Sequence, residues 1–446
     1  MRIDPIAQEL NAVIKNGNPH LMEMFSKTGR RLFFPKGILT QTAEARQKAY
    51  DKFNATIGIA TEGLHTMCLP SVMSHISDIR PSDSLTYAPS HGIFTLRNEW
   101  REAMIRKNPS LKNKSVSMPV VTNGITHGLS VFSDMFIDPD DVLIFPDKMW
   151  GNNYLIMSVR GDARISQYRM FSEEGGFDLA AFEARARQEA RNNYKVVVFL
   201  NFPNNPTGYT VSEKEGDRIV EILTKVAEEG TNVIAVTDDA YFGLYHEDGT
   251  MKESLFARLC DRHPRMLAVK LDGATKELFV WGLRVGFVTY GTVINGDTTA
   301  FYEALEKKTA GNIRGSVSSV SHLSQSIVLK TIKSPNTQKQ RAENVEILKR
   351  RAMRVREVLT NPKYEDAWEM YPFNSGCFMC LRLRTANAET LRIHLLDKYK
   401  VGLISIGPTD LRVAFSTVDE ENIETLFELI YKGIKDLDSQ FTIHNS

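Results

Sequence analysis

A lysine, a carboxylate, a phenol and an amide stand in this chain where all four could touch one bound molecule. Lys276 follows the apolar run Met266 to Leu271 after a small-residue turn, Asp272-Gly273-Ala274, and Arg284 comes eight positions later. A lysine just past a strand end can be desolvated, and a desolvated amine is a nucleophile. Alone, such a lysine is most often a solvated loop residue. Its company changes that reading. The run Lys195 to Leu200 leads into Asn201-Phe202-Pro203-Asn204-Asn205-Pro206-Thr207-Gly208, and Asn232 to Val236 leads into Asp238-Asp239-Ala240-Tyr241. The carboxyl ends of the strands line the ligand crevice in open parallel sheets, so Asn205, Asp238, Tyr241 and Lys276 are expected to converge. A second arginine, Arg412, lies on the otherwise apolar run Gly407 to Phe415. A guanidinium meets a carboxylate through two parallel hydrogen bonds, so Arg412 suits either an amino acid's α-carboxylate or a buried ion pair.

These residues need elements to hold them. Ser117 to Val121 reads as a short strand, Thr122 to Gly128 as a glycine turn, and Leu129 to Phe136 as an apolar helix. A glycine turn feeding a helix offers free N–H groups and the positive end of the dipole to an anion, here through Gly124, Ile125 and Thr126, with His127 on the first turn. The strand Asp141 to Phe145 runs out to Trp150, whose indole could stack on a planar ring or simply fill the core. Ser212-Glu213-Lys214-Glu215 is a capping box, and Ile219, Ile222, Leu223 and Val226 follow at helical spacing before Gly230. That helix is the crossover that makes its flanking strands parallel. Beyond Gly291 a helix is expected around Thr299 to Lys308, and a long basic helix over Gln338 to Leu359 whose interleaved glutamates mark a solvated face. Before residue 80 only the stretch near Thr42 to Phe53 shows helical periodicity, followed by Asn54 to Ala60, where Gly58 reads as a strand-end glycine.

An amine able to form a Schiff base, a carboxylate able to pair with a pyridinium nitrogen, and an amide and phenol able to bond a phenolate oxygen together suit pyridoxal phosphate. The segments NNPTGY, DDAYFGL and TKELFVWGLRVGF resemble the Asn-Pro-Thr-Gly, Asp-x-Ala-Tyr and Lys-x(7)-Arg-x-Gly signatures of class I/II, fold-type I aminotransferases, in that family's order and approximate spacing. The resemblance implies an α/β fold: a three-layer α/β/α large domain with a mostly parallel sheet over 86–335, and a smaller α+β domain from residues 1–85 and 336–446. It implies pyridoxal 5'-phosphate on Lys276, Asp238 on the ring nitrogen, Asn205 and Tyr241 on the ring oxygen, and Trp150 against the ring. The phosphate would be held by Gly124, Ile125, Thr126 and Arg284. A serine usual three places before the lysine is Gly273 here, so that contact is missing or comes from Thr275. Arg412, Gly58 and Asn205 would meet the substrate. Tyr87, in Tyr87-Ala88-Pro89-Ser90-His91-Gly92, would reach the phosphate in a neighbouring subunit, and Arg314 would enter the partner's site to read a distal carboxylate. Ser319-Val320-Ser321 stands where the family has Asn-Pro-Pro, which leaves the aim of Arg314 open.

The implied activity is transfer of an amino group between an L-amino acid, aspartate, glutamate or an aromatic one, and a 2-oxo acid, in a homodimer with shared sites. A lyase or synthase on the same scaffold is the alternative, and a non-catalytic regulator a remote third, because no basic helix-turn-helix precedes residue 80. With 446 residues, 42% of them hydrophobic, the chain has ample core, and a net charge of +1 carries no footprint for nucleic acid or an anionic membrane. Four scattered cysteines fit a reducing cytoplasm rather than a disulfide scaffold, and the first residues lack a signal peptide's apolar region. Cys377 and Cys380 form a CxxC within a strand-like run, which argues against zinc or redox pairing, and no metal site is expected.

Overall fold

The computed structural model describes residues 3–34, 37–49 and 53–444. Its largest layer is a seven-stranded sheet of β1 (Val120–Thr122), β2 (Val142–Pro146), β3 (Arg164–Tyr168), β4 (Lys195–Asn201), β5 (Asn232–Asp238), β6 (Met266–Gly273) and β7 (Gly286–Gly291). The spatial order is β1-β7-β6-β5-β4-β2-β3, with β7 antiparallel to both its neighbours and the rest parallel. The strands read as unbroken apolar runs because both faces are covered. Val196, Val198 and Leu200 join one core with Phe182, Ile219 and Ile222, while Val197 and Phe199 join another with Leu129 and Phe132. Helices α3 (Leu179–Asn192) and α4 (Glu213–Glu228) cover the first face; α1 (Phe94–Lys107) and α2 (Gly124–Phe136) lie on the second. The Ser212 hydroxyl and Glu215 close the expected capping box at the start of α4.

Register brings the strand ends level. Asn201 stands opposite Asp238, Asp238 opposite Leu271, Gly273 opposite Gly286, and Gly286 opposite Thr122. The loops that follow β1, β4, β5 and β6 therefore leave from one edge of the sheet.

A second unit is a four-stranded antiparallel sheet, β8 (Trp368–Met370), β9 (Met379–Leu383), β10 (Ile404–Ile406) and β11 (Asp410–Val413), in the order β8-β9-β11-β10. Behind α5 (Thr298–Ser316), the long helix α6 (Thr337–Leu359) leads into it, and α6 packs against α7 (Ile423–His444). The segment after residue 53 joins the same unit: Ala55 N–H donates to the Gly402 carbonyl at 2.9 Å and Ala414 N–H to the Ala55 carbonyl at 3.0 Å. Among the described residues, no helix is long and apolar enough to cross a membrane.

Four expectations change. The strand before Lys276 continues through Asp272 and Gly273, because both pair with β7. The helix expected from Leu129 begins at Gly124, which moves Gly124, Ile125 and Thr126 from a loop into its first turn. Gly58 ends no strand, since only Asn54 makes a bridge, to Gly402, and the rest is irregular. Before residue 80 the chain holds Pro5–Gly17, Pro19–Met24, Lys27–Arg31, Ile38–Lys48 and Pro70–Ile76 as helices. The first three are started by Asp4, Asn18 and Ser26, whose side chains accept from backbone N–H groups two or three residues on. Residues 50–52 of the helix expected near Thr42 to Phe53 lie outside the described residues.

Candidate active site

Lys276 occupies the third place of a single helical turn, Ala274–Glu277, that begins as β6 ends. Its Nζ lies 4.8 Å from the centre of the Tyr241 ring. Burial pushes the ammonium below its usual range, Arg284 adds to that, and Asp238 opposes it. Asp238 itself, 6% exposed, is pushed up to about 6 by burial against the pull of Lys276. Ala240 N–H donates to its carboxylate at 3.1 Å, and the Asn201 amide donates to its backbone carbonyl at 2.9 Å. The Asn201 side chain also accepts from Asn205 N–H at 2.8 Å, so one residue at the end of β4 knits the asparagine loop to the aspartate strand.

One end of the cleft is built for an anion. Gly124 has φ +72°, and a β-carbon there would sit 2.4 Å from Arg284 Nη2. A β-carbon on Gly286 would lie 2.8 Å from the Gly124 carbonyl carbon, and one on Gly273 would lie 2.8 Å from the Val285 carbonyl oxygen. The three glycines press the lysine turn, the arginine strand and the head of α2 into backbone contact. This is why a serine does not fit at 273. Thr275, 4% exposed, lines the cleft instead. Arg284, in the left-handed conformation at φ 54°, makes one long hydrogen bond of 3.4 Å to the Trp281 carbonyl, and burial alone lowers its pKa. Among the described residues Arg284 pairs with no carboxylate, and a partly buried guanidinium beside the first N–H groups of a 13-residue helix can accept an anion such as phosphate.

Arg412 marks the other end. It is 1% exposed, its Nη1 donates to Asn205 Oδ1 at 3.0 Å and its Nη2 to the Thr56 carbonyl at 2.7 Å, while Nε has no partner. Its guanidinium stacks 4.2 Å over the Phe378 ring. Among the described residues it pairs with no carboxylate, which removes the buried-ion-pair reading and leaves a desolvated cation awaiting an anion. Asn205 therefore ties the two halves of the site together.

A cleft of about 550 Å³ joins these ends, lined by Gly58, Ile125, Thr126, Trp150, Asn205, Asp238, Tyr241, Thr275, Lys276, Arg284 and Arg412. Gly58 is required by space, since a β-carbon there would lie 2.9 Å from Phe378 and 3.0 Å from the Tyr241 hydroxyl. Two expected residues stay outside. Tyr87 is 95% exposed, and Arg314 is exposed in the last turn of α5, where it donates to Ser318 Oγ at 2.6 Å. His127 does not face the cleft; its Nδ1 accepts from Asn123 N–H at 3.0 Å, which braces the turn before α2. Cys377 and Cys380 are buried free thiols, and burial pushes Cys377 up to about 12.

Ile57, Ile59, Met149, Ile404 and Ile406 also wall the cleft, and no pattern in the sequence singled them out for that place. The same holds for Lys148, whose Nζ reaches Asp410 Oδ2 at 2.7 Å and so ties the Trp150 loop to β11, two residues from Arg412. A lysine beside a tryptophan carried no periodic signal.

The family model for aminotransferase class I and II matches residues 51–430. Aspartate aminotransferase of Sulfurisphaera tokodaii is 25% identical over 202 residues, 45% of this chain and 47% of that protein. The chain thus spans about half the length of that relative, as it does for aspartate aminotransferase of Bacillus subtilis, 24% identical over 201 residues, 45% of this chain and 47% of that protein. Among solved structures, an aminotransferase from Anaerococcus prevotii superposes with a TM-score of 0.81 at 22% identity, covering 91% of this chain and 98% of that one.

Proposed function

Because the chain belongs to the class I and II aminotransferases, we propose that it moves an amino group between an L-amino acid and a 2-oxo acid, with Lys276 as the residue that holds pyridoxal 5'-phosphate. The observation that carries this reading is the cleft, which among the described residues holds one buried amine, one buried carboxylate and, at opposite ends, two guanidiniums paired with no carboxylate. The donor set fits the cofactor. The head of α2 with Arg284 would take the phosphate, Asp238 the ring nitrogen, Asn205 and Tyr241 the ring oxygen, and Trp150 a ring face.

When bound, the cofactor supplies an aldehyde that captures the donor's amine and a protonated ring that accepts the electron pair released at Cα. Asp238 is ionised above about pH 6 and keeps that ring nitrogen protonated. Arg412 grips the α-carboxylate and fixes which bond at Cα faces Lys276. Burial lowers the pKa of Lys276 and so favours its neutral form, and once the donor's amine had taken its place Nζ would accept the α-proton and give it up on the far side of the transfer. The apolar walls exclude water while that proton is in transit.

The division of the chain into 1–85 with 336–446 and 86–335 is part of this proposal. The bonds of Ala55 to Gly402 and Ala414 support it, although Arg31 also pairs with Asp162 of the larger layer at 2.6 Å. A homodimer with shared sites is supported by the exposure of Leu85 at 84%, Tyr87 at 95% and Phe94 at 70%, an apolar surface around the one tyrosine assigned to a partner's site. Aspartate, glutamate or an aromatic amino acid is the proposed donor, with Arg314 of the second subunit reading a distal carboxylate. A cytoplasmic location is in keeping with four free cysteines.

Borohydride reduction of the cofactor-loaded protein followed by peptide mapping tests the centre of this reading. Label at Lys276 is expected; label elsewhere, or none, overturns it. A panel of amino donors with 2-oxoglutarate then identifies the substrate. If Arg314→Ala slows aspartate and phenylalanine equally, the distal-carboxylate role is wrong.

A further inference from the structure

Behind the floor of the cleft lies a set of charges that no step above uses. Lys270, 1% exposed, interrupts the apolar run of β6, and it leaves the strand on the same face as Asp272. Its ammonium is held by Asp239, next in sequence to Asp238, and by Asp272 at 3.3 Å, with the Phe242 ring 5.2 Å away. Asp272 also accepts from Trp100 Nε1 at 3.1 and 3.2 Å. The same helix, α1, extends Lys107 to Glu277, the residue after Lys276, at 2.6 Å. Arg341 on α6 closes the circuit: its Nε donates to the Glu277 carbonyl at 3.0 Å and its Nη2 to the Gly243 carbonyl at 3.1 Å, two residues beyond Tyr241.

Three carboxylates and three cations, joined through the Trp100 indole on α1 and the backbone carbonyls of Glu277 and Gly243, thus form a ring that begins beside Asp238, passes on both sides of Lys276 and returns beside Tyr241. Stability alone is a poor reason for it. Buried ion pairs recover little more than their desolvation cost, and an apolar residue at 270 would serve the strand as well. What the ring does, and apolar packing would not, is fix the aspartate strand and the lysine turn to each other and to α1 through directional contacts. We propose that Lys270 is a positioning residue, clamped between Asp239 and Asp272 so that the carboxylate of Asp238 and the nitrogen of Lys276 keep the separation the transfer requires. The inference rests on the function proposed above.

The test uses the full-length protein loaded with pyridoxal 5'-phosphate, with Lys270→Met, Lys270→Arg and Asp239→Asn read in three ways: kcat against KM for the donor, the pH midpoint of the cofactor's visible band, and Tm of the cofactor-free protein. The groups facing Lys276, namely Asp238, Arg284, Cys377 and Tyr241, are the same in every variant, so midpoint differences report the ring alone. Lys270→Met is expected to lower kcat roughly tenfold or more with KM changed less than about threefold, the pattern of lost transition-state geometry. Its midpoint should rise, because two carboxylates lose their cation, whereas that of Asp239→Asn should fall. Lys270→Arg, which keeps the charge, should recover part of kcat. Variants that lower only Tm, with kcat and both midpoints at wild-type values, overturn the proposal. If Lys270→Met does not fold, Asp239→Asn decides by the same two readouts. A wild-type protein with no cofactor band would sink the functional reading as well, whereas a normal wild-type band with unresponsive variants sinks only the ring.

Discussion

Asp238 costs the ligand-free protein stability in exchange for chemistry. Its folded pKa of about 6 lies above the ordinary 3.8, so the native state binds the proton more tightly than the unfolded chain does. Stability from this group is therefore fully present below about pH 4, is lost as pH rises through about 6, and is absent beyond it; the deficit is on the order of 3 kcal/mol. Asp238→Asn should accordingly raise Tm of the cofactor-free protein at pH 7.5, show no gain at pH 4, and abolish most activity; equal Tm values at both pH values would contradict this. At the substrate end, Arg412→Lys should raise KM for donor and acceptor by roughly a hundredfold, because an ammonium cannot make the paired hydrogen bonds to a carboxylate. An unchanged KM would show that Arg412 does not meet substrate. Lys276, Asp238 and Asn205 were legible in the sequence because each lies at or just past the end of an apolar strand run, and Arg412 because it interrupts one. Lys270 and Lys148 were not, since a buried lysine paired across strands looks like any solvated one until its partners are placed.

At the scale of elements, the strand runs and the capping box foretold the parallel core. The start of α2 was misplaced because Gly124 and Thr126 are weak helix formers, and tertiary contact with Arg284 and Gly286 outweighs that preference. Of the first three N-terminal helices two run only six and five residues, too short to show a period, and the caps Asp4, Asn18 and Ser26 went unread. The glycine contact gives a direct test. Gly286→Ala should weaken cofactor affinity roughly tenfold or more, since overpacking on the order of 1–3 kcal/mol falls on the backbone of Gly124. Gly249→Ala, at a position with nothing within 4 Å, should not. Equilibrium titration of the cofactor-free variants reads the difference, and equal affinities would show that the close contact does not shape the phosphate seat.

At the scale of the whole molecule, the two residues outside the cleft, Tyr87 and Arg314, make the assembly testable. If a partner supplies Arg314, an aspartate-inactive Lys276→Ala protein mixed with an Arg314→Ala protein should regain up to about a quarter of wild-type aspartate turnover, because half of random dimers are mixed and each mixed dimer holds one complete site. No recovery after subunit exchange, confirmed by native mass spectrometry, would place Arg314 outside a shared site. The first strand of the large sheet pairs with the last, Val120 against Val288, and Arg412 belongs to a different sheet altogether. During synthesis on the ribosome, then, the phosphate seat must wait for the β7 residues and the carboxylate grip for the far end of the chain. On the proposed roles, a nascent polypeptide stalled between those two points carries every residue assigned to the vitamin B6 phosphate within one subunit and still lacks the guanidinium assigned to the α-carboxylate.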